Sequence, residues 1–258
     1  MEREIGWLLQ EKYPEINLSD LNGASNSKIV LAAKKDIKRL KEGEPLDHII
    51  GFVEFLDCKI LVNKNVLIPR FETEFWTEKA IEEIKLSGVG HRTVLDVFAG
   101  SGCIGIAVLK HIKNSQLVFA ESQKKALVQI KKSCAVNNIL KNRYKIIQSD
   151  IFSNISGKFD YIFANPPYIP IVRRGKVQKS VLQYEPKEAL FGGSDGLNYI
   201  AIFLREAQKF LNPGGKIYME FDSIQRNKIN MLLKKFRYKH WQFHKDQYDK
   251  WRWVTVNN

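Results

Sequence analysis

From Glu72 onward, strand-sized apolar runs alternate with longer amphipathic stretches, and this alternation restricts the fold more than any other feature of the sequence. The runs that read as strands are RTVLDVF, QLVFAE, YKIIQS, FDYIFA, GKIYMEF, HWQFH and WRWVTV. Helical spacing lies between them, over residues 74–85, 104–113, 123–137, 197–211 and 224–236. Strand and helix in repetition predict an α/β fold, a doubly wound, seven-stranded, mainly parallel sheet covered by helices on both faces. The last two runs stand too close together for a crossover helix and should pair as an antiparallel hairpin.

Upstream of this pattern the chain changes character. Residues 1–45 show helical spacing over 2–11 and 28–41, separated by the polar, turn-rich LSDLNGASNS, which predicts a small N-terminal helical domain. Residues 46–72 contain FVEFLDCKILVNKNVLIP, apolar and polar by turns around LDCK, which predicts a connecting β-hairpin. Residues 73–258 then form the large domain, and with 44% hydrophobic residues in 258 the chain can bury a full core.

Cys58, Cys103 and Cys134 are odd in number and scattered, with no paired spacing, so neither a disulfide framework nor a metal site is indicated. The opening MEREIGWLLQEKYPE is charged throughout, and no run approaches the roughly 18 apolar residues that span a bilayer. A soluble, cytoplasmic protein with no membrane association is therefore expected. Against 28 acidic residues stand 41 Lys and Arg, and the resulting +13 permits weak association with RNA or the ribosome through a basic surface. The plainer reading of that charge is solubility.

At the end of the first strand of the large domain, Asp96-Val97-Phe98-Ala99-Gly100-Ser101-Gly102-Cys103-Ile104-Gly105 contains GxGxxG. Glycines there allow a tight strand-to-helix turn and a close ligand approach, and the helix start offers unpaired N–H groups. A dinucleotide, or a nucleoside with a zwitterionic tail, could use such a loop, and so could an ordinary tight turn. Glu121 ends the second strand, where a carboxylate can accept both hydroxyls of a ribose. Asp150, at the end of the third, could receive an exocyclic adenine amine, or simply cap a turn.

Asn165-Pro166-Pro167-Tyr168 follows the strand FDYIFA. In an open sheet, ligands bind outside the carboxyl ends of the strands, so the glycine loop, Glu121, Asp150 and Asn165 should line one crevice. An amide or aniline-like nitrogen is a poor nucleophile because its lone pair is delocalised, and two acceptors on its N–H groups favour localisation. The Asn165 side-chain oxygen and the Pro166 carbonyl can supply them, held by the restricted torsions of consecutive prolines, while Tyr168 would stack on the planar group. Holding such a nitrogen about 3 to 3.5 Å from an activated methyl carbon would provide most of the rate gain.

These residues and their flanks resemble the release-factor glutamine methyltransferases (HemK/PrmC type). The resemblance covers roughly Glu44 to Val256 and is carried by EPLDHIIGFVEFLDCKI, LIPRFETE, DIFSNISGKFDYIFANPPYIP and YEPKEALFGGSDGL. It implies a Rossmann-like methyltransferase domain that uses S-adenosylmethionine, with the glutamine of a Gly-Gly-Gln loop in a peptide chain release factor as protein substrate. By position, the cofactor loop falls on Phe98, Ala99, Gly100, Ser101 and Gly102, the ribose acid on Glu121, and the adenine-side contacts on Asp150 and Ile151. Asn165 would touch both ligands, with Pro166, Pro167 and Tyr168 completing the substrate grip. Phe71 stands where the family usually has proline, Glu220-Phe221-Asp222 replaces a more usual Glu-x-Gly, Phe98-Ala99 is a less common form of the loop, and the helical cap is short. The flanks look like those of the glutamine enzymes rather than of adenine or guanine amino-methyltransferases of nucleic acid, which share Asn-Pro-Pro-Tyr. A glutamine methyltransferase of a ribosomal protein and, given the +13 charge, an amino-methyltransferase of nucleic acid stay open as alternatives. An NAD-dependent oxidoreductase would leave Asn-Pro-Pro-Tyr without a task, and a catalytically silent RNA-binding module would need no cofactor loop.

Four smaller features complete the reading. Arg70 and Glu72 suggest a local salt bridge beside the cofactor. Arg173, Arg174, Lys176 and Lys179 suggest a flexible basic loop. His240 and His244 lack acidic or cysteine company, and Cys103 has no histidine partner nearby in sequence, so none of the three is read as a metal ligand or nucleophile.

Overall fold

The computed structural model describes residues 1–21 and 27–257, so part of the predicted turn LSDLNGASNS, residues 22–26, lies outside the described residues. Helices α1 (Glu2–Lys12) and α2 (Lys28–Lys41) are followed by a short helix α3 (Leu46–Ile50) that the alternation around LDCK did not announce. Leu8, Leu9, Tyr13, Val30, Ala33, Ile37, Leu40 and Ile49 form their own small core. Over it, Asp36 accepts from Lys12 at 2.6 Å, Tyr13 at 2.7 Å and Arg39 at 2.7 Å, which holds its carboxyl below the ordinary aspartate range despite burial.

The predicted hairpin is present as β1 (Phe52–Phe55) and β2 (Cys58–Leu61), antiparallel, with a two-residue turn at Leu56 and Asp57. Both turn residues have positive φ, +46° and +58°, the conformation such turns require and usually give to Asn-Gly. The Leu56 N–H is satisfied by Glu74 Oε1 at 2.8 Å, which helps to hold the turn. Glu74 belongs to α4 (Phe71–Leu86), which begins three residues before the predicted start, with acidic Glu72 and Glu74 in its first turn facing the positive end of the helix dipole. Phe71 holds the first helical position, where proline is favoured, and is 74% exposed.

Beyond α4 the elements run β3 (Arg92–Val97), α5 (Cys103–His111), β4 (Ser115–Glu121), α6 (Lys124–Val136), β5 (Tyr144–Gln148), β6 (Phe159–Ala164), α7 (Lys179–Tyr184), α8 (Asn198–Glu206), β7 (Leu211–Glu220), α9 (Arg226–Lys235), β8 (His240–Lys245) and β9 (Trp251–Asn257). All seven strands read from the sequence appear, ordered β5-β4-β3-β6-β7-β9-β8 in one sheet. β3 to β7 run parallel to one another, and β9 is antiparallel to both β7 and β8. One face of the sheet packs on α4, α5, α6 and the hairpin around Trp76, Ile106 and Phe119, and the other on α8 and α9 around Phe203, Ile229 and Leu233. The hairpin is pinned to α6, since Lys59 and Leu61 donate their N–H groups to Asn137 Oδ1 at 2.9 Å and Ser133 Oγ at 3.0 Å.

The chain reverses its direction of winding between β3 and β6, which makes their carboxyl ends the topological switch point. Register makes this concrete: Val97 pairs with Ala120 on one side and with Ala164 on the other. The residues that follow on these neighbouring strands, Phe98, Glu121 and Asn165, therefore emerge side by side. No helix among the described residues is long and apolar enough to cross a membrane.

Candidate functional site

A cleft of about 1050 Å³, counted out to the solvent at its mouth, opens over this switch point. Its wall includes Phe98, Ala99, Gly100, Ser101, Glu121, Asp150, Ile151, Asn165 and Pro167, so one cavity joins the glycine bend to the Asn-Pro-Pro-Tyr corner. Asp96, Gly102, Pro166 and Tyr168 are not part of that wall.

The glycine bend is built from backbone. Phe98 (+60°), Gly100 (+55°) and Gly102 (+81°) all have positive φ, and the turn closes through Gly102 N–H to Ala99 O at 2.7 Å. A Cβ placed on Gly100 would have only Phe98 O near it, at 3.8 Å, so the space beside that residue belongs to the cleft. On Gly102 a Cβ would meet Ile130 at 3.1 Å, so that glycine serves the packing of the loop on α6. Glu121 is 8% exposed; its Oε2 accepts from Gly100 N–H at 2.9 Å and its Oε1 from Gln123 N–H at 2.8 Å. Oε1 also accepts from the Ser122 hydroxyl at 3.3 Å, whereas Oε2 keeps a further lone pair, so the carboxylate can still accept a ligand hydroxyl at Oε2. Asp150 is exposed, and Ile151, at φ +51°, turns the chain beneath the cleft.

Below the bend, Asp96 is fully buried, with Oδ2 accepting from Gly105 N–H at 3.0 Å and Oδ1 without a partner. Burial raises its carboxyl to about 7; the Gly105 bond acts the other way and the Glu121 charge adds to the rise. Burial also pushes the Cys103 thiol up to about 12, which keeps it protonated at neutral pH.

The corner is built from side chains. Asn165 Nδ2 donates to Thr73 Oγ1 at 3.3 Å, and Thr73 Oγ1 donates to Glu220 Oε2 at 2.7 Å. Trp76 Nε1 donates to the same oxygen at 2.6 Å, and the Tyr168 hydroxyl to Glu220 Oε1 at 2.9 Å. The Tyr168 ring packs with the second core cluster, and burial raises its hydroxyl well above the ordinary tyrosine value. On its far side the corner meets Gly196, where a Cβ would lie 2.1 Å from Tyr168 O, and Gln225 Nε2 donates to that carbonyl at 2.9 Å. Sequence reasoning passed over Thr73 and Trp76 as ordinary α4 residues; their only advance signal was their place in and beside LIPRFETE.

Two expectations are corrected. Arg70 does not pair with Glu72: its Nη2 meets Glu185 Oε1 at 2.6 Å, and Glu185 Oε2 accepts Ile68 N–H at 3.1 Å, so the ion pair ties residues 68–70 to the segment after α7 above the cleft. The basic segment is folded, a 3-10 turn over Ile171–Lys176 followed by α7, with Arg173 paired to Asp222 at 2.9 Å. His244 shares a hydrogen bond with Thr255 Oγ1 at 2.9 Å and stacks on Trp253. Among the described residues no group of three or more His, Cys, Asp and Glu is placed to hold a metal ion.

A family model described as "Methyltransferase small domain" matches residues 79–184. The chain is 37% identical over 223 residues to a release factor glutamine methyltransferase of Thermodesulfovibrio yellowstonii, covering 86% of this chain and 79% of that protein. It is 30% identical over 267 residues to one of Flavobacterium psychrophilum, covering 99% and 93%. Among solved structures it resembles the T. thermophilus 16S rRNA N2 G1207 methyltransferase in complex with AdoMet and guanosine, with a TM-score of 0.60 and 18% identity over 80% of this chain and 49% of that one, a likeness of fold.

Proposed function

The chain belongs to the release factor glutamine methyltransferase family, and from that premise we propose that it methylates the side-chain amide nitrogen of the glutamine in the Gly-Gly-Gln loop of a peptide chain release factor. The observation that carries the reading is the shared cleft, in which register sets Asn165 beside the glycine bend. S-adenosylmethionine supplies the electrophilic methyl carbon on a sulfonium when bound.

The residues present fit that donor. The open side of Gly100 admits close approach, Glu121 Oε2 keeps a lone pair for a ribose hydroxyl, and Asp150 with the turn at Ile151 would take the adenine edge. Asp96 and Gly102 shape the bend from beneath. On the other side, Asn165 Oδ1 and the Pro166 carbonyl accept the two N–H groups of the substrate amide, orienting its nitrogen and favouring a localised lone pair. Pro167 lines the cleft on the substrate side, whereas Tyr168, expected from the sequence to stack on the planar group, braces the corner from outside the cleft wall through its bond to Glu220. No general base is required before transfer, because the alkylated nitrogen is acidic and gives up its proton afterwards.

Residues 1–45 are proposed to dock the body of the release factor, with residues 46–72 as the connection to the catalytic domain over 73–258. A cytoplasmic location follows from such a substrate, and the +13 charge favours weak association with RNA or the ribosome. The test is transfer of tritium from labelled S-adenosylmethionine to a purified release factor. Label should enter the Gly-Gly-Gln peptide, vanish when that glutamine is replaced, and stay out of naked RNA and DNA. Label in nucleic acid instead would favour an amino-methyltransferase of adenine or guanine, and label in a ribosomal protein would move the substrate but not the chemistry.

A further inference from the structure

Glu220 is 1% exposed, and methyl transfer as described gives it no task. Removing a carboxylate from water is costly, and an apolar side chain there would avoid that cost. Burial holds its carboxyl above the ordinary glutamate range, opposed by the bonds from Trp76 and Thr73, the charge of Arg252 and the bond from Tyr168. Its donors come from both sides of the site: Thr73 and Trp76 from α4, Tyr168 from the corner.

The chemistry of these groups fixes the direction of each bond. An ionised carboxylate only accepts, so Thr73 gives its single hydroxyl hydrogen to Glu220 and presents a lone pair to Asn165. A lone pair calls for a donor, so Nδ2 of Asn165 turns toward Thr73 and Oδ1 turns the other way. If the amide were reversed, its NH2 would confront the NH2 of a substrate amide, donor against donor. The same carboxylate holds the hydroxyl of Tyr168, so one group secures both ends of Asn-Pro-Pro-Tyr.

We infer that Glu220 is a positioning residue that sets the polarity of Asn165 through the Thr73 hydroxyl, so that the amide oxygen faces the substrate nitrogen. This rests on the proposed role of Asn165 as the acceptor for that nitrogen. Thr73→Val keeps the shape of the side chain and removes the hydroxyl, while Thr73→Ser keeps the hydroxyl. With a release factor as substrate, Thr73→Val should lower kcat on the order of 10²-fold, the scale of a small misplacement of a reacting group. The KM for the release factor and the calorimetric Kd for S-adenosylmethionine should stay close to wild type, while the melting temperature should fall by several degrees because the buried carboxylate loses a donor. Thr73→Ser should recover most of the turnover. Glu220→Gln should be milder than Thr73→Val, because its amide oxygen can still accept from Thr73 and Trp76 while its NH2 donates to the Tyr168 hydroxyl oxygen.

A Thr73→Val enzyme as active as wild type would overturn the inference, and so would a Thr73→Ser enzyme as damaged as Thr73→Val. Asn165→Ala in the same assay separates this from the reading beneath it. If Asn165→Ala turns over normally, the role of the corner itself is wrong; if it is inactive while Thr73→Val is not, only the relay is.

Discussion

The glycine side of the cleft presents main chain and one carboxylate that braces it, whereas the corner side presents side chains held by other side chains. Gly100 N–H and Glu121 are 21 residues apart, joined through neighbouring parallel strands. Asn165 and Thr73 are 92 apart, and Thr73 and Glu220 are 147 apart. A backbone-built surface tolerates changes of side chain as long as its torsions survive. A relay fails when any one member loses its donor or acceptor. Substitutions should therefore separate the two sides by what they change: the glycine side should govern cofactor affinity and the corner side turnover.

The largest effect that would sharpen this contrast is expected from Asn165→Ala. Losing the acceptor proposed for the reacting nitrogen should cut kcat by about 10²- to 10³-fold, the range for removing one preorganised polar group at a reacting centre. Cofactor affinity by calorimetry should change little. A variant that instead bound S-adenosylmethionine poorly while turning over normally at saturation would erase the division.

Next comes Glu121→Ala, which removes the bracket on Gly100 N–H, the bond to Gln123 N–H and the proposed ribose acceptor together. Affinity for S-adenosylmethionine should fall on the order of 100-fold, since hydrogen bonds to a charged group contribute about 1.5–3 kcal/mol each. At saturating cofactor, kcat should recover most of its value. Persistently low kcat under those conditions would mean that the bend also places the methyl carbon.

The same contrast explains what could be read in advance. The seven strands, the hairpin and the glycine bend follow from local patterning, because apolar runs, positive-φ glycines and strand-end acids are signals within a few residues. Asn165 was legible for the same reason. Its supports were not: Thr73 looks like any residue of an amphipathic helix, and only the fold brings it under Glu220. Arg70 shows the same limit, since two acids close in sequence suggested a local partner while its carboxylate, Glu185, lies 115 residues away. The turn at Leu56 and Asp57 carries no glycine, and its bond to Glu74 crosses 18 residues, so the alternation suggested a hairpin without showing what holds it. Helix α3 is short, and five residues offer too little periodicity to declare a helix.

The smallest effect lies beneath the glycine bend and should leave turnover alone. Asp96 has its carboxyl raised to about 7 in the folded chain against 3.8 unfolded, so between those values the folded state holds a proton that the unfolded state has lost. Its contribution to stability is complete below the unfolded value and is lost as pH rises through about 7. Glu220 and Asp47, also raised by burial, act in the same direction, whereas His48 and His244, lowered by burial, act in the opposite one. Comparison with Asp96→Asn isolates the one group, because an amide oxygen can still accept from Gly105 N–H and does not titrate in this range. The stability difference between wild type and Asp96→Asn, measured by denaturant unfolding of the ligand-free protein, should shift toward the variant by about 2 kcal/mol from pH 5 to pH 7, at roughly 1.4 kcal/mol per unit of differential protonation. A gap independent of pH would show that Asp96 is ionised throughout and that its unpaired oxygen has found a compensating charge.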